Sequence, residues 1–411
     1  MCVFYISIIM KRNIRKFFEA VVEKILLASG AVTSVTILLI ILFLFREGSG
    51  LFRTPIVEGG YSLIVNSSNR VTNLEPQQIK DIFDAKIENW SQVGGADEPI
   101  LVFRLNDIVN YASAEEIGED FSGMAAVLGR VIEENKNIIA FVPTEYLPAQ
   151  YDGRNIAEED ITPSEFFMGE EWFPTAQPAP LFGVLPLIWG TLWVSLAAIL
   201  FALPFAMAAA IYIGEIAHPR IRKILKPLFE LLAGIPSVVY GFFGLVVIVP
   251  LVQQLFGLPV GETALSGAII LAIMALPTII TVAEDSIRNV PRAAREASLA
   301  LGASKWQTIW RVVLPYGISG IMAGVVLGIG RAIGETMAVL MVTGNAAVIP
   351  TTLLEPVRTI PATIAAELGE APAGGAHYQA LFMLGVILFL ITLVISILAE
   401  FFASKRPKPQ I

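Results

Sequence analysis

Residues Pro291–Pro315 read PRAAREASLALGASKWQTIWRVVLP, and this stretch decides how the rest of the chain is interpreted. It is polar and basic, it is rich in good helix formers, and Gly302 stands near its middle. A glycine at that place favours a bend between two helical segments. The stretch therefore predicts two short helices joined at Gly302. Taken alone, it is also typical of a solvated amphipathic loop.

The regions on either side have the composition of a membrane protein. Of the 411 residues, 55% are hydrophobic and only 16% are charged, and the mean hydropathy is +0.69. Soluble domains carry about 25% charged residues, so a soluble enzyme is excluded. One cysteine excludes an internal disulfide, and two distant histidines predict no metal site of the Cys/His type.

Six apolar stretches are long enough to cross a bilayer, which takes about 20 residues as a helix. They are Ile25–Phe45, Leu181–Gly214, Leu231–Gly261, Thr263–Ala283, Val312 to about Thr343, and Tyr378–Ala399. We therefore predict an all-α membrane protein with six transmembrane helices. The second and third stretches exceed one crossing, so each should hold one tilted span and some interfacial backbone.

The distribution of lysine and arginine predicts the orientation, because short cytoplasmic loops are rich in both. Basic residues cluster before the first span, between the second and third, between the fourth and fifth, and after the sixth. The loops on the other side have almost none. Both termini are therefore predicted to be cytoplasmic. Met1–Met10 lacks the features of a signal peptide, and the basic run that follows favours Met10 as the true start.

The segment between the first two spans is long and acidic. Residues 46–182 contain nine basic and 23 acidic residues, a formal charge of −14, whereas the rest of the chain carries +6. We predict four parts: 1–45 with the first span, an extracytoplasmic insert at 46–182, a membrane core at 183–403, and a cytoplasmic tail at 404–411. Long loops cross the membrane largely regardless of charge.

The spacing within the basic loop identifies a family. It reads E-A-S-x3-G-x9-V-x-L-P and resembles the EAA loop of bacterial ABC-importer permeases, with serine and valine in place of alanine and isoleucine. The matching residues are Glu296, Ala297, Ser298, Gly302, Val312, Leu314 and Pro315. The resemblance implies a MetI-like permease core whose loop, residues 284–315, couples to a separate ATPase.

The coupling loop implies that transport and ATP hydrolysis are carried out by different chains. Glu296 and the cluster Arg288, Arg292 and Arg295 are expected to make charged contacts with the ATPase. No segment here resembles the phosphate-binding loop G-x-x-x-x-G-K-[ST]. The chain is therefore predicted to be a non-catalytic transport subunit without a cofactor, and ATP hydrolysis is assigned to a partner.

The fifth span contains a glycine face. Gly320, Gly324 and Gly328 recur every four residues, which places them on one side of a helix. Small residues at this spacing allow membrane helices to approach closely. We expect these glycines to serve helix packing.

Two charges interrupt the same span. Arg331 and Glu335 are four residues apart, so a continuous helix would place them on one face. A lone charge at this depth costs about 2.5–3.5 kcal/mol or more. They could form a structural ion pair, or the arginine could snorkel. The functional interpretation is that Arg331 receives an anionic substrate, because guanidinium is a rigid fork that matches tetrahedral oxyanions. Glu335 would hold Arg331 when no substrate is present.

Two runs resemble phosphate-importer permeases of the PstC type: GRAIGETMAVLMVTGN at Gly330–Asn345 and AGIPSVVYGFFG at Ala233–Gly244. The resemblance implies that Arg331 and Glu335 act in phosphate transport in a bacterial inner membrane. It also implies four kinds of partner: a second homologous permease, an ATP-binding dimer, a periplasmic phosphate-binding protein and the lipid bilayer. No nucleic acid is expected.

Two alternatives remain open at this point. The chain could be a membrane phosphate sensor or regulator that uses the permease fold, with the insert as its receptor. It could also import another oxyanion, such as molybdate or sulfate. The EAA spacing and the intramembrane Arg331 and Glu335 favour transport over sensing.

The insert contains a candidate folded unit at Asn66–Phe173. Strand-like runs at Ile100–Phe103 and Ile138–Val142 accompany helix-like runs at Pro76–Phe83 and Ala114–Ile132, which predicts an α/β arrangement.

Segments of this unit, Leu74–Gly95 and Asn135–Leu147, resemble one lobe of phosphate-binding periplasmic proteins. Such proteins follow their first strand with a Ser-Gly-Thr loop, whereas here Arg104 is followed by Leu-Asn-Asp. The net charge of the insert would also repel an anion. We expect the insert to dock a partner or to shape the mouth of the pore.

Overall fold

The computed structural model describes residues 2–404 except 58, 119 and 157–159, and describes side chains for residues 21–399 and 401 within that range. Most of the predicted 404–411 tail lies outside the described residues. The helices in chain order are α1 Cys2–Ser49, α2 Pro76–Phe83, α3 Ala114–Ile117, α4 Met124–Glu134, α5 Pro163–Met168, α6 Leu185–Ile211, α7 Pro219–Ala233, α8 Ser237–Phe243, α9 Val249–Phe256, α10 Ala264–Arg288, α11 Arg292–Ala300, α12 Lys305–Thr308, α13 Leu314–Gly334, α14 Met337–Val342, α15 Ile360–Glu367 and α16 Ala376–Ser404.

Six helical segments within the described residues are long and apolar enough to cross a membrane, so the predicted six-span architecture is confirmed. We call them spans 1 to 6, and they are Val21–Arg53, Leu185–Ile216, Ser237–Phe256, Ala264–Arg288, Lys305–Gly334 and Ala376–Ala399. The insert lies between spans 1 and 2, and the predicted coupling loop lies between spans 4 and 5. We call the corresponding ends of the core the insert end and the loop end.

The third predicted stretch, Leu231–Gly261, divides at Pro236. Its first residues belong to α7, and span 3 begins only at Ser237. Pro236 has extended backbone, with φ −58° and ψ 141°, so α7 and α8 do not form one rod. Leu225 and Phe229 of α7 pack against the core of the spans, and an opposite stripe of the helix is exposed. Only Leu231–Ala233 of this helix lie in the predicted stretch, so an interfacial position for the excess length stays a prediction.

The fifth predicted stretch is also divided, and here the prediction of a continuous span to Thr343 is wrong. Helix α13 ends at Gly334, and Glu335 has extended backbone with φ −72° and ψ 132°. The Thr336 hydroxyl donates to the Gly334 carbonyl at 3.4 Å. Such local side-chain bonds compete with the backbone bonds of a helix, and α14 then starts separately.

The insert contains a four-stranded sheet in the order β2-β3-β1-β4. The strands are β1 Tyr61–Asn66, β2 Leu101–Arg104, β3 Ile138–Pro143 and β4 Gly153–Asn155, and a hairpin of β5 Trp172–Phe173 and β6 Leu181–Phe182 follows. Strand β1 runs antiparallel to β3 and β4, and β2 runs parallel to β3. The predicted α/β insert is confirmed, but its central strand β1 lies before the expected start at Asn66.

The predicted helix Ala114–Ile132 is in fact two helices, α3 and α4. Gly118 stands between them with φ +77°, a left-handed conformation that favours glycine. A Cβ at Gly123 would lie too close to the Glu116 carbonyl oxygen. The helical pattern was visible in the sequence, whereas the tight turn inside it depends on these two glycines.

The insert and the membrane core share one hydrophobic cluster. Trp172 and Phe182 of the insert belong to the same cluster as Leu51 of span 1, Leu187 of span 2 and Leu384 of span 6. Because this buried apolar contact is continuous, the insert is built onto the ends of spans 1, 2 and 6. It is not suspended from flexible linkers.

Candidate functional site

The loop between spans 4 and 5 folds as two short helices around a glycine turn. Helices α11 and α12 are separated by Gly302, whose φ of +85° places it in the left-handed region. The hydroxyls of Ser298 and Thr308 lie 3.0 Å apart and join the two helices. Residues 284–288 of the predicted loop still belong to helix α10, since span 4 extends to Arg288.

The loop presents an apolar surface that the chain itself leaves uncovered. Leu301 is 90% exposed, and Leu299 and Trp306 are about half exposed. Glu296 and Ala297 are also exposed, on the helix that carries Leu299. Exposed apolar patches rimmed by polar residues commonly mark interaction sites.

The end of the EAA pattern lies at the base of span 5. Leu314 is half-buried and packs against a small cluster formed by the loop ends of spans 2, 4 and 5, which includes Ile287 and Val313. Pro315 is the second residue of α13 and directly follows the π-helical turn Ile309–Val313, within the continuous helix of span 5. These two residues therefore anchor the loop to the spans.

The three arginines expected to contact the partner behave differently. Arg295 is turned inward and is 20% exposed. Arg288 lies 3.3 Å from Glu284, a carboxylate that is only 2% exposed. Arg292 is exposed. The Nη1 and Nη2 atoms of Arg295 donate inside the chain, which disfavours a contact of this residue with the partner; for Arg288 and Arg292 the contact stays a prediction.

Helix α7 is bonded to spans 2 and 4 at the loop end of the core. Lys226 reaches Glu284 at 3.1 Å and Asp285 at 2.8 Å, both on span 4. The hydrogen bond to Asp285 raises the pKa of Lys226 above its ordinary value. Arg222 donates to the carbonyl groups of Ile213 at 2.7 Å and Gly214 at 2.8 Å in span 2. Spans 2 and 4 are thus both attached to α7.

The three glycines of the fifth span face span 4. A Cβ at Gly320 would collide with the Ser286 hydroxyl, and one at Gly328 would lie 2.7 Å from Ile279 Cγ1. Gly324 would meet Val282 Cβ at 3.1 Å. The structure therefore places all three at a helix contact that larger residues would force apart.

Arg331 and Glu335 do not form the ion pair that their spacing suggested. Within the described residues no carboxylate lies within 4.0 Å of Arg331, whose Nη1 reaches only the Thr278 hydroxyl at 3.5 Å. Glu335 accepts a long hydrogen bond from the Ala338 N–H at 3.5 Å instead. The reason is the helix end at Gly334, which takes Glu335 off the face that Arg331 occupies.

A second charged cluster joins the insert to the core, and sequence reasoning missed it. Glu367 accepts hydrogen bonds from Trp172 Nε1 at 3.0 Å and from Arg358 Nη1 at 2.7 Å, and its other contact is His377 Nε2 at 2.9 Å. Trp172 lies 195 positions away in the chain. No local pattern could have indicated this contact.

The described part of the insert contains Arg104, which precedes the expected place of an anion-binding loop, and an acidic cavity. Arg104 donates to the Phe83 carbonyl at 2.9 Å, and its guanidinium lies over the Phe83 ring at 5.2 Å. A cavity of about 270 Å³ in the insert is lined by four glutamates: Glu75, Glu165, Glu170 and Glu171. Four carboxylates would repel phosphate. No group of three or more metal-ligating side chains occurs within the described residues.

Comparison with known proteins identifies the class. Residues 202–407 match the binding-protein-dependent transport system inner membrane component, and residues 43–141 match the PBP superfamily domain. The first match covers half of the chain, so the chain belongs to this family of inner-membrane transport components. It is a multi-pass inner-membrane protein.

The relatives narrow the class to one type of permease. The chain is 39% identical over 246 residues to the probable ABC transporter permease protein YqgH of Bacillus subtilis, covering 60% of this chain and 79% of that protein. It is 41% identical over 259 residues to the phosphate transport system permease protein PstC of Mesorhizobium japonicum, covering 58% and 78%. The resemblance to PstC-type permeases is thus confirmed, together with a PBP-like insert.

Among solved structures, the inward-facing MetNI methionine ABC transporter is similar at 15% identity over 57% of this chain and 100% of that chain, with a TM-score of 0.44.

Proposed function

We propose that this chain is the permease subunit of an ATP-driven importer of inorganic phosphate and forms half of its pore. The observation that carries the proposal is the 41% identity to a PstC permease, over a region of 259 residues. A second, homologous permease would supply the other half of the pore. The chain itself is assigned no chemical step, and ATP hydrolysis is assigned to a partner.

The loop end is assigned to the cytoplasm, with both termini. The basic residues of α7, of the coupling loop and of the segment before span 1 support this orientation. An ATP-binding dimer would then cover the apolar surface of Leu299, Leu301 and Trp306, flanked by Glu296. ATP binding and hydrolysis by that dimer would move the two coupling loops of the complete importer and open or close the pore.

Arg331 is assigned to the phosphate path. Its guanidinium is half-buried in a membrane span and has no carboxylate partner within the described residues, so donors remain for a tetrahedral anion. Arginine binds phosphate oxygens through two parallel N–H groups. Glu335 lies just past the helix break, where extended backbone gives it freedom to approach Arg331 when phosphate leaves.

The insert is assigned to docking a separate phosphate-binding protein or to shaping the mouth of the pore. Its acidic cavity and the engaged Arg104 both argue against phosphate binding. Its shared hydrophobic cluster with spans 2 and 6 favours a fixed platform. A sensor would instead need a receptor that changes state with phosphate.

Anion competition in proteoliposomes tests the substrate. The full importer is reconstituted from this chain, a second permease, the ATPase and the binding protein, and ATP-dependent uptake of radiolabelled phosphate is measured. We expect unlabelled phosphate to abolish the signal and a tenfold excess of sulfate or molybdate to leave it almost unchanged. Suppression by sulfate or molybdate would assign the chain to another oxyanion, and the absence of uptake would favour the sensor.

A further inference from the structure

Arg295 connects three separate parts of the loop end. Its Nη1 donates to the Val290 carbonyl at 2.8 Å, and its Nη2 donates to the Ile287 carbonyl at 2.7 Å and to Glu215 Oε1 at 2.6 Å. Arg295 belongs to helix α11, Ile287 lies in the last turn of span 4, and Glu215 lies in the last turn of span 2. One side chain therefore bonds the coupling helix to two spans.

The acceptors are ones that an arginine is suited to satisfy. The last carbonyl groups of a helix have no partner within the helix and carry partial negative charge, and Ile287 lies in the last turn of α10. Glu215 is 12% exposed and Arg295 is 20% exposed, so water competes little for the bond between them. Removing one partner of such a shielded pair is costly, because the remaining charge is left without its partner.

Spans 2 and 4 are already in close contact beneath this arginine. A Cβ at Gly214 would lie 2.8 Å from Ile287 Cγ2, so the turn before Glu215 rests directly on the residue whose carbonyl Arg295 binds. The Ser298 to Thr308 contact joins helix α11 to α12, at the start of span 5. Arg295 joins helix α11 to spans 2 and 4.

We propose that Arg295 is a positioning residue that makes helix α11 and the loop ends of spans 2 and 4 move as one body. Displacement of the loop by the ATPase then moves both spans instead of bending the loop. This inference rests on the proposed function as an ATP-driven importer. Lysine should not substitute, because its single ammonium group lacks the planar fork that reaches two carbonyls and a carboxylate at once.

The first test is the ratio of phosphate imported to ATP hydrolysed in proteoliposomes that contain the full importer. Arg295→Gln and Arg295→Lys should each lower this ratio about tenfold, since bonds to a charged group are lost, while ATP hydrolysis stays within about twofold. Lys223→Gln is the control, since Lys223 is exposed on α7. An unchanged ratio in both Arg295 variants would overturn the proposal.

Glu215→Gln keeps the test informative if the Arg295 variants fail to assemble. It retains Arg295 and both carbonyl bonds, and removes only the carboxylate of span 2. We expect a smaller fall in the ratio, about threefold, with normal assembly. A ratio equal to that of the wild type would contradict a link between α11 and span 2.

A distance measurement separates this inference from the proposed function. Spin labels on cysteines at Ala300 and Ile216, both exposed, report the separation of α11 and span 2 in the purified full chain without any phosphate. The distribution should be narrow in the wild-type background and clearly broader after Arg295→Gln. Equal widths would overturn the inference even if phosphate uptake is demonstrated, and a broader distribution would support it even if the substrate is another anion.

Discussion

The two ends of the permease core differ from its middle in how they use arginine. At the insert end Arg358 lies 2.7 Å from Glu367, and at the loop end Arg295 lies 2.6 Å from Glu215. Both pairs are largely shielded from water. Arg295 and Glu215 lie 80 positions apart, and Glu367 also accepts from Trp172, which lies 195 positions away. Arg331, in span 5, has no such carboxylate within the described residues.

This difference indicates which arginine is available to a substrate. An arginine whose Nη atoms donate to a carboxylate and to carbonyl oxygens stabilises the fold. Few of its N–H groups remain to bind an anion. An unpaired arginine in a membrane span is costly, and a passing anion would lower that cost. The contrast therefore favours Arg331 as the anion contact and assigns the terminal arginines to structure.

The largest effect is expected from Arg331→Gln. Phosphate uptake by the reconstituted importer should fall at least about 100-fold, because a desolvated charge contact with the anion is lost. The complex should still assemble, since Arg331 contacts only Thr278 at 3.5 Å. Arg70→Gln, at an exposed position of the insert, serves as the control. Uptake above half of the wild-type rate would contradict a contact between Arg331 and phosphate during transport.

Glu335→Gln addresses the other predicted path residue. If Glu335 displaces phosphate from Arg331, the variant should retain phosphate binding but release it slowly, with uptake reduced at least about tenfold. Uptake rates and phosphate retention by the isolated importer are compared with the wild type. Normal uptake would contradict a role of Glu335 in phosphate release and would leave it only the hydrogen bond with the Ala338 N–H.

The contact between spans 4 and 5 can be broken sterically. Gly324→Leu should lower the free energy of unfolding by about 1–3 kcal/mol, because the side chain has no room against Val282 and the Ile279 carbonyl. Gly330→Leu is a matched control, since nothing lies within 4 Å of a Cβ there. Thermal unfolding of the purified chain in detergent measures both. Equal losses of stability would contradict a tight contact confined to the glycine face.

The joint between insert and core should respond to Glu367→Gln. Loss of the carboxylate weakens the contacts with Arg358 and His377, and local opening should become easier by about 1–3 kcal/mol. Hydrogen exchange of the β5 to β6 hairpin should accelerate accordingly. Glu370→Gln, at an exposed position, should leave exchange unchanged. Unaltered exchange after Glu367→Gln would show that the shared apolar cluster alone holds the insert.

The smallest effect is expected from Arg104→Gln in the insert. Arg104 is exposed and its Nη2 donates to the Phe83 carbonyl, whereas the cavity of the insert is lined by four glutamates, so uptake should stay within about twofold of the wild type. Calorimetric titration of the full-length Arg331→Gln chain with phosphate should also give no binding heat. Micromolar binding by that variant would reassign the insert as a receptor.

The sequence allowed the architecture to be predicted because hydropathy and spacing are local signals. Six spans, the turn at Gly302 and the α/β character of the insert all follow from patterns within about 30 residues. Helix α2 has the bounds that its apolar pattern indicated, Pro76–Phe83. The EAA spacing indicated a loop of two short helices between spans 4 and 5 for the same reason, and its coupling role stays a prediction.

The errors concern contacts that a local pattern cannot specify. The pairing of Arg331 with Glu335 assumed an unbroken helix, and the break depends on Gly334 and Thr336. Arg295 looked like an exposed basic residue, yet its acceptor Glu215 lies 80 positions away. Strand β1 was missed because its partners β3 and β4 lie far along the chain.

The central claim is that ATP hydrolysed by a partner drives phosphate through a pore half formed by this chain. The most direct measurement is phosphate accumulation in proteoliposomes of the full importer, with ATP and then with a non-hydrolysable ATP analogue. We expect accumulation against a gradient only with ATP, and none when this chain is omitted. Accumulation without ATP hydrolysis, or without this chain, would contradict the account.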